Sequence, residues 1–160
     1  MSTYFLQQSV QNLEKYENAK FQITNSLEKI DKETNKPISI GSHVSVKNNL
    51  KSGQELLIEL GGLQAELNQL SLLKSSLGET VNESYKNEIE AQCDRLKETI
   101  ASLSTKTEQR VEQLDQANNK WITVTQQIET ISEQIISQDN IQPAAGITKS
   151  LEDQIVEVEV

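Results

Sequence analysis

Between Tyr85 and Ile135 the chain carries neither proline nor glycine, so nothing in the covalent backbone ends a helix there. A helix of that span runs roughly 50 residues and about 75 Å at 1.5 Å per residue. Its apolar positions are Ile89, Cys93, Leu96, Ile100 and Leu103, then Val111 and Leu114, then Ala117, Trp121, Val124, Ile128, Ile131 and Ile135. Most steps are three or four residues, which gathers these side chains into one stripe. The alternation lapses between Leu103 and Ala117, and the lapse reads as a joint where the helix leaves one bundle and enters a second.

The rest of the chain supplies two more helices. The first is expected over Thr3 to Glu33, with Leu13, Tyr16, Ile23, Leu27 and Ile30 on one face. Lys20 takes a place where the pattern wants an apolar group, with its methylene stem along the seam and its ammonium in water. A loop follows at 34–43, punctuated by Pro37 and Gly41, with Ser42 or Ser45 available to cap what comes next. The second helix, Val46 to Thr80, carries a run of leucines from Leu50 to Leu77. Leu56, Ile58 and Leu72 widen its apolar face as if it touched two neighbours. Gly61 and Gly62 in its middle call for a bend or a close neighbouring backbone, and together with Gly53 they are the weakest part of this helix. A turn at 78–84 offers Asn82 or Ser84 as the cap of the long helix. Connections this short make successive helices antiparallel. The fold class is therefore all-α, an antiparallel three-helix bundle.

Composition enters where function is at issue. Only 35% of the chain is hydrophobic and 4% aromatic, which suits long helices with narrow seams rather than a thick core. Twenty-four Asp and Glu against 15 Lys and Arg leave a net charge of -9. Such a surface repels nucleic-acid phosphates and anionic headgroups. No window approaches the roughly 20 apolar residues of a membrane span, and the start lacks a leader pattern. The expectation is a cytoplasmic protein that inserts into no membrane and binds no nucleic acid.

Catalysis needs a nucleophile with a base, a carboxylate pair in a pocket or a metal cluster. One histidine, His43, and one cysteine, Cys93, assemble none of these, so no catalytic residue, cofactor or metal is expected. Cys93 reads as a small core residue and Trp121 as a core anchor. His43 reads as a solvated loop residue, Arg110 as a salt-bridge partner, and Tyr4, Phe5 and Leu6 as a short apolar cap.

A shift of 101 positions carries Leu13, Asn18, Ile23, Thr24, Leu27, Glu28 and Ile30 onto Leu114, Asn119, Val124, Thr125, Ile128, Glu129 and Ile131. Tyr16 falls on Ala117, Lys20 on Trp121, Val46 on Ile147 and Leu50 on Leu151. The domains expected are 1–112, a complete three-helix repeat into whose third helix the next repeat is fused, and 113–160, a partial second copy. That copy holds a first helix to about Gln138, a loop at 139–146 and the start of another helix at Thr148 or Ser150. Residues 155–160 alternate like a strand but are read as a frayed end.

Leu96, Ile100 and Leu103, the run Arg110-Val111-Glu112-Gln113-Leu114-Asp115-Gln116-Ala117 and Trp121 together resemble the junction of two spectrin repeats. Gln54-Glu55-Leu56-Leu57 resembles the start of such a repeat's second helix, and Lys20 or Phe21 stands where its aromatic would be. The resemblance implies a structural spacer and scaffold in a cytoskeletal linker protein, with docking surfaces for other repeats, partner helices or cytoskeletal proteins. The incomplete copy leaves Trp121, Val124, Ile128 and Ile131 as the seam for a partner. The alternative is a coiled-coil adaptor or vesicle-tethering subunit acting through oligomerisation.

Overall fold

The computed structural model describes residues 3–77 and 82–139, with the backbone alone at 4–6 and 139. It contains three helices, α1 (Thr3–Thr34), α2 (His43–Leu77) and α3 (Glu83–Asp139), and no strand among the described residues. The expected loop, second helix and alternating tail after 139 lie outside those residues, as do the side chains of Tyr4, Phe5 and Leu6.

Two of the helices, α2 and α3, start where the sequence offers a cap. Ser42 Oγ accepts the Ser45 amide at 3.1 Å and the Ser42 carbonyl accepts the Val46 amide at 3.1 Å, which fixes the start of α2. Asn82 Oδ1 accepts the Tyr85 amide at 2.8 Å and does the same for α3. The end of α1 is built differently. The Asn35 amide closes the last turn onto Asp31, Pro37 cannot continue the helix, and Arg110 of α3 donates to the carbonyls of Thr34 and Lys36.

The chain divides into two compact units, one of 1–37 with 52–110 and the other of 38–51 with 111–160. In the first unit the core draws on all three helices: Tyr16, Ile23, Leu27 and Ile30 from α1, Leu60, Leu63, Leu67, Leu70 and Leu77 from α2, and Ile89, Cys93, Ile100 and Leu103 from α3. Tyr16 meets Ile89 and Gln92, while Thr34 meets Thr107. The residue numbers rise together, so α1 and α3 run in the same direction. The α2 segment, which joins the end of one to the start of the other, runs back between them. This is a three-helix bundle.

Several sequence expectations change here. The stripe on α3 does not slip. From Ile89 the positions 93, 96, 100, 103, 107, 110, 114, 117, 121, 124, 128, 131 and 135 alternate four and three throughout. What lapses is hydrophobicity, because Thr107 and Arg110 hold two of those places. Thr107 is fully buried with its hydroxyl 3.4 Å from that of Thr34, and Arg110 caps α1 rather than pairing with a carboxylate. Arg110 is polar because it faces a helix end whose last carbonyls need donors, and Thr107 faces the Thr34 hydroxyl in that same turn.

Ile58 and Leu72 do not widen the buried face of α2; they are 77% and 70% exposed. Gly61 and Gly62 are helical and exposed, and a Cβ at either would meet nothing within 4 Å. Neither a positive φ nor a close neighbour accounts for them. Phe21 is 65% exposed, so Tyr16 is the aromatic of the first core.

Candidate functional site

In the first unit the polar groups that reach the seam hold the bundle together. The Tyr16 hydroxyl donates to Gln92 Oε1 at 3.2 Å and lies 3.7 Å from Cys93 Sγ. Lys20 Nζ reaches the same Gln92 oxygen at 3.3 Å and Glu17 at 2.9 Å, so its ammonium is paired rather than merely wet. The Tyr85 hydroxyl donates to Glu17 at 3.1 Å. Burial, then the Cys93 hydrogen bond, holds the Tyr16 phenol well above the ordinary tyrosine range; burial, then Glu17, raises Tyr85. Cys93 is buried, as the sequence suggested. Among the described residues no buried side-chain nitrogen or oxygen lacks a partner. A trough between α1 and α3 has Leu27, Leu96 and Leu103 for its floor, which is the edge of the core itself.

The second unit has a different surface. Trp121 follows Leu114 by two turns of α3 and stands on the same side, with Asn118 one turn before it. Its indole N–H donates to the Ile40 carbonyl at 3.0 Å. The His43 ring stacks on the indole with centroids 6.3 Å apart and planes inclined by 9°, and its Nε2 lies 2.9 Å from Asn118 Oδ1. His43 is thus not a solvated loop residue but the first residue of α2, pinned against α3. Trp121 is half-buried and is not a core anchor; among the described residues of this unit the fully buried apolar ones are Leu114 and Val46.

Beside the stack lies a groove of about 250 Å³ lined by Ser42, His43, Val44, Trp121, Val124, Thr125 and Ile128. It presents two rings, three aliphatic side chains and two hydroxyls, with no carboxylate or ammonium in its wall. Such a lining suits an inserted apolar side chain. Of the four seam residues, Trp121 and Ile128 are half-buried, while Val124 and Ile131 are 37% and 51% exposed. Trp121, Val124 and Ile128 line the groove, and Ile131 stands one turn beyond. The ring pair was missed in the sequence because its members are remote in the chain. The clue was a helix start bearing the single histidine, just past a proline loop.

Among the described residues no group of three or more His, Cys, Asp or Glu side chains is placed to hold a metal. No described helix is long and apolar enough to cross a membrane.

No curated protein and no solved structure matches the chain. A family model does, over residues 65–158, and its description is Protein of unknown function (DUF1216). The match begins within α2 and takes in all of α3. It corrects the resemblance to spectrin repeats, since no spectrin-repeat model is matched. The likeness rested on heptad spacing and on Arg110, Leu114 and Trp121. Those residues have causes of their own in this fold: a cap for α1, a buried leucine and a partner for His43.

Proposed function

The chain belongs to the family described as proteins of unknown function (DUF1216), and we propose that within it this protein works as a non-catalytic helical docking module. On this reading the second unit offers the face of α3 bearing Trp121, Val124, Ile128 and Ile131 to an α-helix of a partner protein. The single observation that carries the reading is the exposure of Val124 and Ile131 at helical spacing beside a ready groove. Large aliphatic side chains grouped on one face gain by being covered, about 25 cal/mol for each Å² removed from water. His43 and Trp121 fix the groove's inner wall through their stack and their hydrogen bonds to Asn118 and Ile40, so little side-chain freedom remains to be lost on binding. The cytoskeletal setting came with the spectrin resemblance and is not carried forward.

The test is site-specific photocrosslinking in cells that make the protein, with a crosslinking amino acid at position 124, 131 or 126. Gln126 is exposed on another side of the same helix. A discrete adduct from 124 and 131 but not from 126 is expected. Equal labelling at all three sites, or none at any, overturns the proposal. An adduct of two copies of this chain turns it toward the oligomerising adaptor.

A further inference from the structure

The α2 segment of the first unit carries a row that its own core does not use. Ile58, Gly62, Ala65, Gln69, Leu72 and Ser76 are separated by alternating steps of four and three, so they lie along one face, and all six are exposed. The core row of Leu60, Leu63, Leu67, Leu70 and Leu77 lies on the opposite side. Single exposed aliphatics are ordinary. Here two of them, Ile58 and Leu72, are exposed by 77% and 70% on one line, with only a glycine, an alanine and a glutamine between them.

The glycine is the informative member. In mid-helix it costs about 1 kcal/mol against alanine, and its neighbour Gly61 costs the same. Nothing within 4 Å of either needs the room. A second helix laid over Ala65 would need it, because a missing Cβ lets a backbone come close.

Charge selects the occupant. Glu55, Glu59 and Glu66 line one edge of the row; the edge with Gly61, Asn68 and Ser75 is uncharged; and Lys74, the one base between 52 and 77, lies toward the core side. A second copy laid antiparallel over 58–76 would set acidic edge against acidic edge, and a parallel copy would set the acidic edge against the uncharged one. We propose that this face docks an amphipathic α-helix of another protein. Its aliphatic side chains would lie over Gly62 and Ala65 between Ile58 and Leu72, and its Lys or Arg side chains along Glu55, Glu59 and Glu66. This inference stands apart from the α3 reading, since it uses no residue of the second unit.

The experiment titrates the full chain with a synthetic helix of about 20 residues, enough to span the row. It has leucines on one face and lysines along one edge, and is compared with the same peptide bearing glutamates. The lysine peptide is expected to bind at least about tenfold more tightly, with an advantage that shrinks as salt is added. Gly62→Leu should raise the chain's melting temperature yet weaken the lysine peptide about tenfold or more. Glu59→Gln with Glu66→Gln should weaken it several-fold at unchanged melting temperature, and Val124→Ser with Ile131→Ser should leave it alone. If Gly62→Leu fails to fold, Ile58→Ser with Leu72→Ser takes its place. Equal binding of the two peptides, or undiminished binding after the change at 62 or at 58 and 72, overturns the proposal. So does a dimer in the ultracentrifuge that Gly62→Leu abolishes, which would make the occupant a second copy.

Discussion

Residues 13–30 of α1 and 114–131 of α3 share a pattern and have different fates. Leu13, Ile23, Leu27 and Ile30 recur 101 positions later as Leu114, Val124, Ile128 and Ile131. In α1 the last three are almost wholly buried; in α3 they range from half-buried to 51% exposed. Spacing decides which side chains share a face, and only tertiary neighbours decide whether that face is covered. In the first unit two further helices close over α1. In the second, the described residues add to α3 only the loop at 38–42 and the first turns of α2.

The comparison is broken most directly at Ile30. Ile30→Ala removes a fully buried side chain and should cost about 3 to 4 kcal/mol, counting lost transfer energy and the cavity left behind. Urea unfolding followed by circular dichroism measures it. A cost below about 1 kcal/mol would mean the first core is as open as the α3 face.

The C-terminal end of α1 tests the polar interruption of the stripe. Arg110→Met keeps the length and apolar stem of the side chain but leaves the carbonyls of Thr34 and Lys36 without their donor. A loss of about 1 to 2 kcal/mol is expected. Amide exchange should rise first in the last turn of α1 and not at its middle. Thr107 sharpens the point. Thr34 already donates to the Ile30 carbonyl at 2.7 Å, so Thr107→Val should cost well under about 1 kcal/mol.

How much of this could be read from the chain follows from the same contrast. The three helices, the Pro37 stop and the burial of Cys93 were legible, because propensity, capping and period act locally. Ser42 and Asn82 were named among the possible caps, and hydrogen bonding selected them. The slip expected on α3 is absent because the spacing continues through Thr107 and Arg110 and only the hydrophobicity lapses there. Their partners are Thr34 at the end of α1 and Lys36 just past it. The exposure of Ile58 and Leu72 and the His43–Trp121 stack were not legible at all. Each depends on which elements fold over which, and a single helix's period does not encode that.

Tyr16 gives the comparison a dependence on pH, since the residue 101 positions after it is Ala117. The phenol's folded pKa lies above its unfolded value. Stability from the neutral hydroxyl is therefore fully present below the unfolded pKa, near 10, and is lost as pH rises beyond it toward the folded one. Tyr85 is shifted in the same direction and adds to the slope. Tyr16→Phe should cost about 1 kcal/mol at neutral pH through its hydrogen bonds to Gln92 and Ile89, and should flatten the alkaline loss. Denaturation at pH 7 and above pH 10 reads both effects. An unchanged alkaline slope would place the titrating group elsewhere.

Gly62→Ala is expected to stabilise the isolated chain by about 0.5 to 1 kcal/mol, because the new methyl enters open space and the unfolded chain loses freedom. A destabilisation would reveal a neighbour on α2 in solution and would bear on the docking proposal directly.

The smallest effect completes the comparison that Ile30 begins. Ile131→Ala removes the same side chain from the matching place, yet half of it is already in water. The folded chain therefore loses little on truncation, and a cost under about 0.5 kcal/mol is expected. Helix propensity works in the same direction, since alanine favours the helix over isoleucine by a few tenths of a kcal/mol. The measurement is informative because its failure has a definite form. A cost comparable to that of Ile30→Ala would require Ile131 to be covered in solution. If that cost then fell on dilution, the cover would be a second copy of the chain, because mass action alone makes such stabilisation depend on concentration.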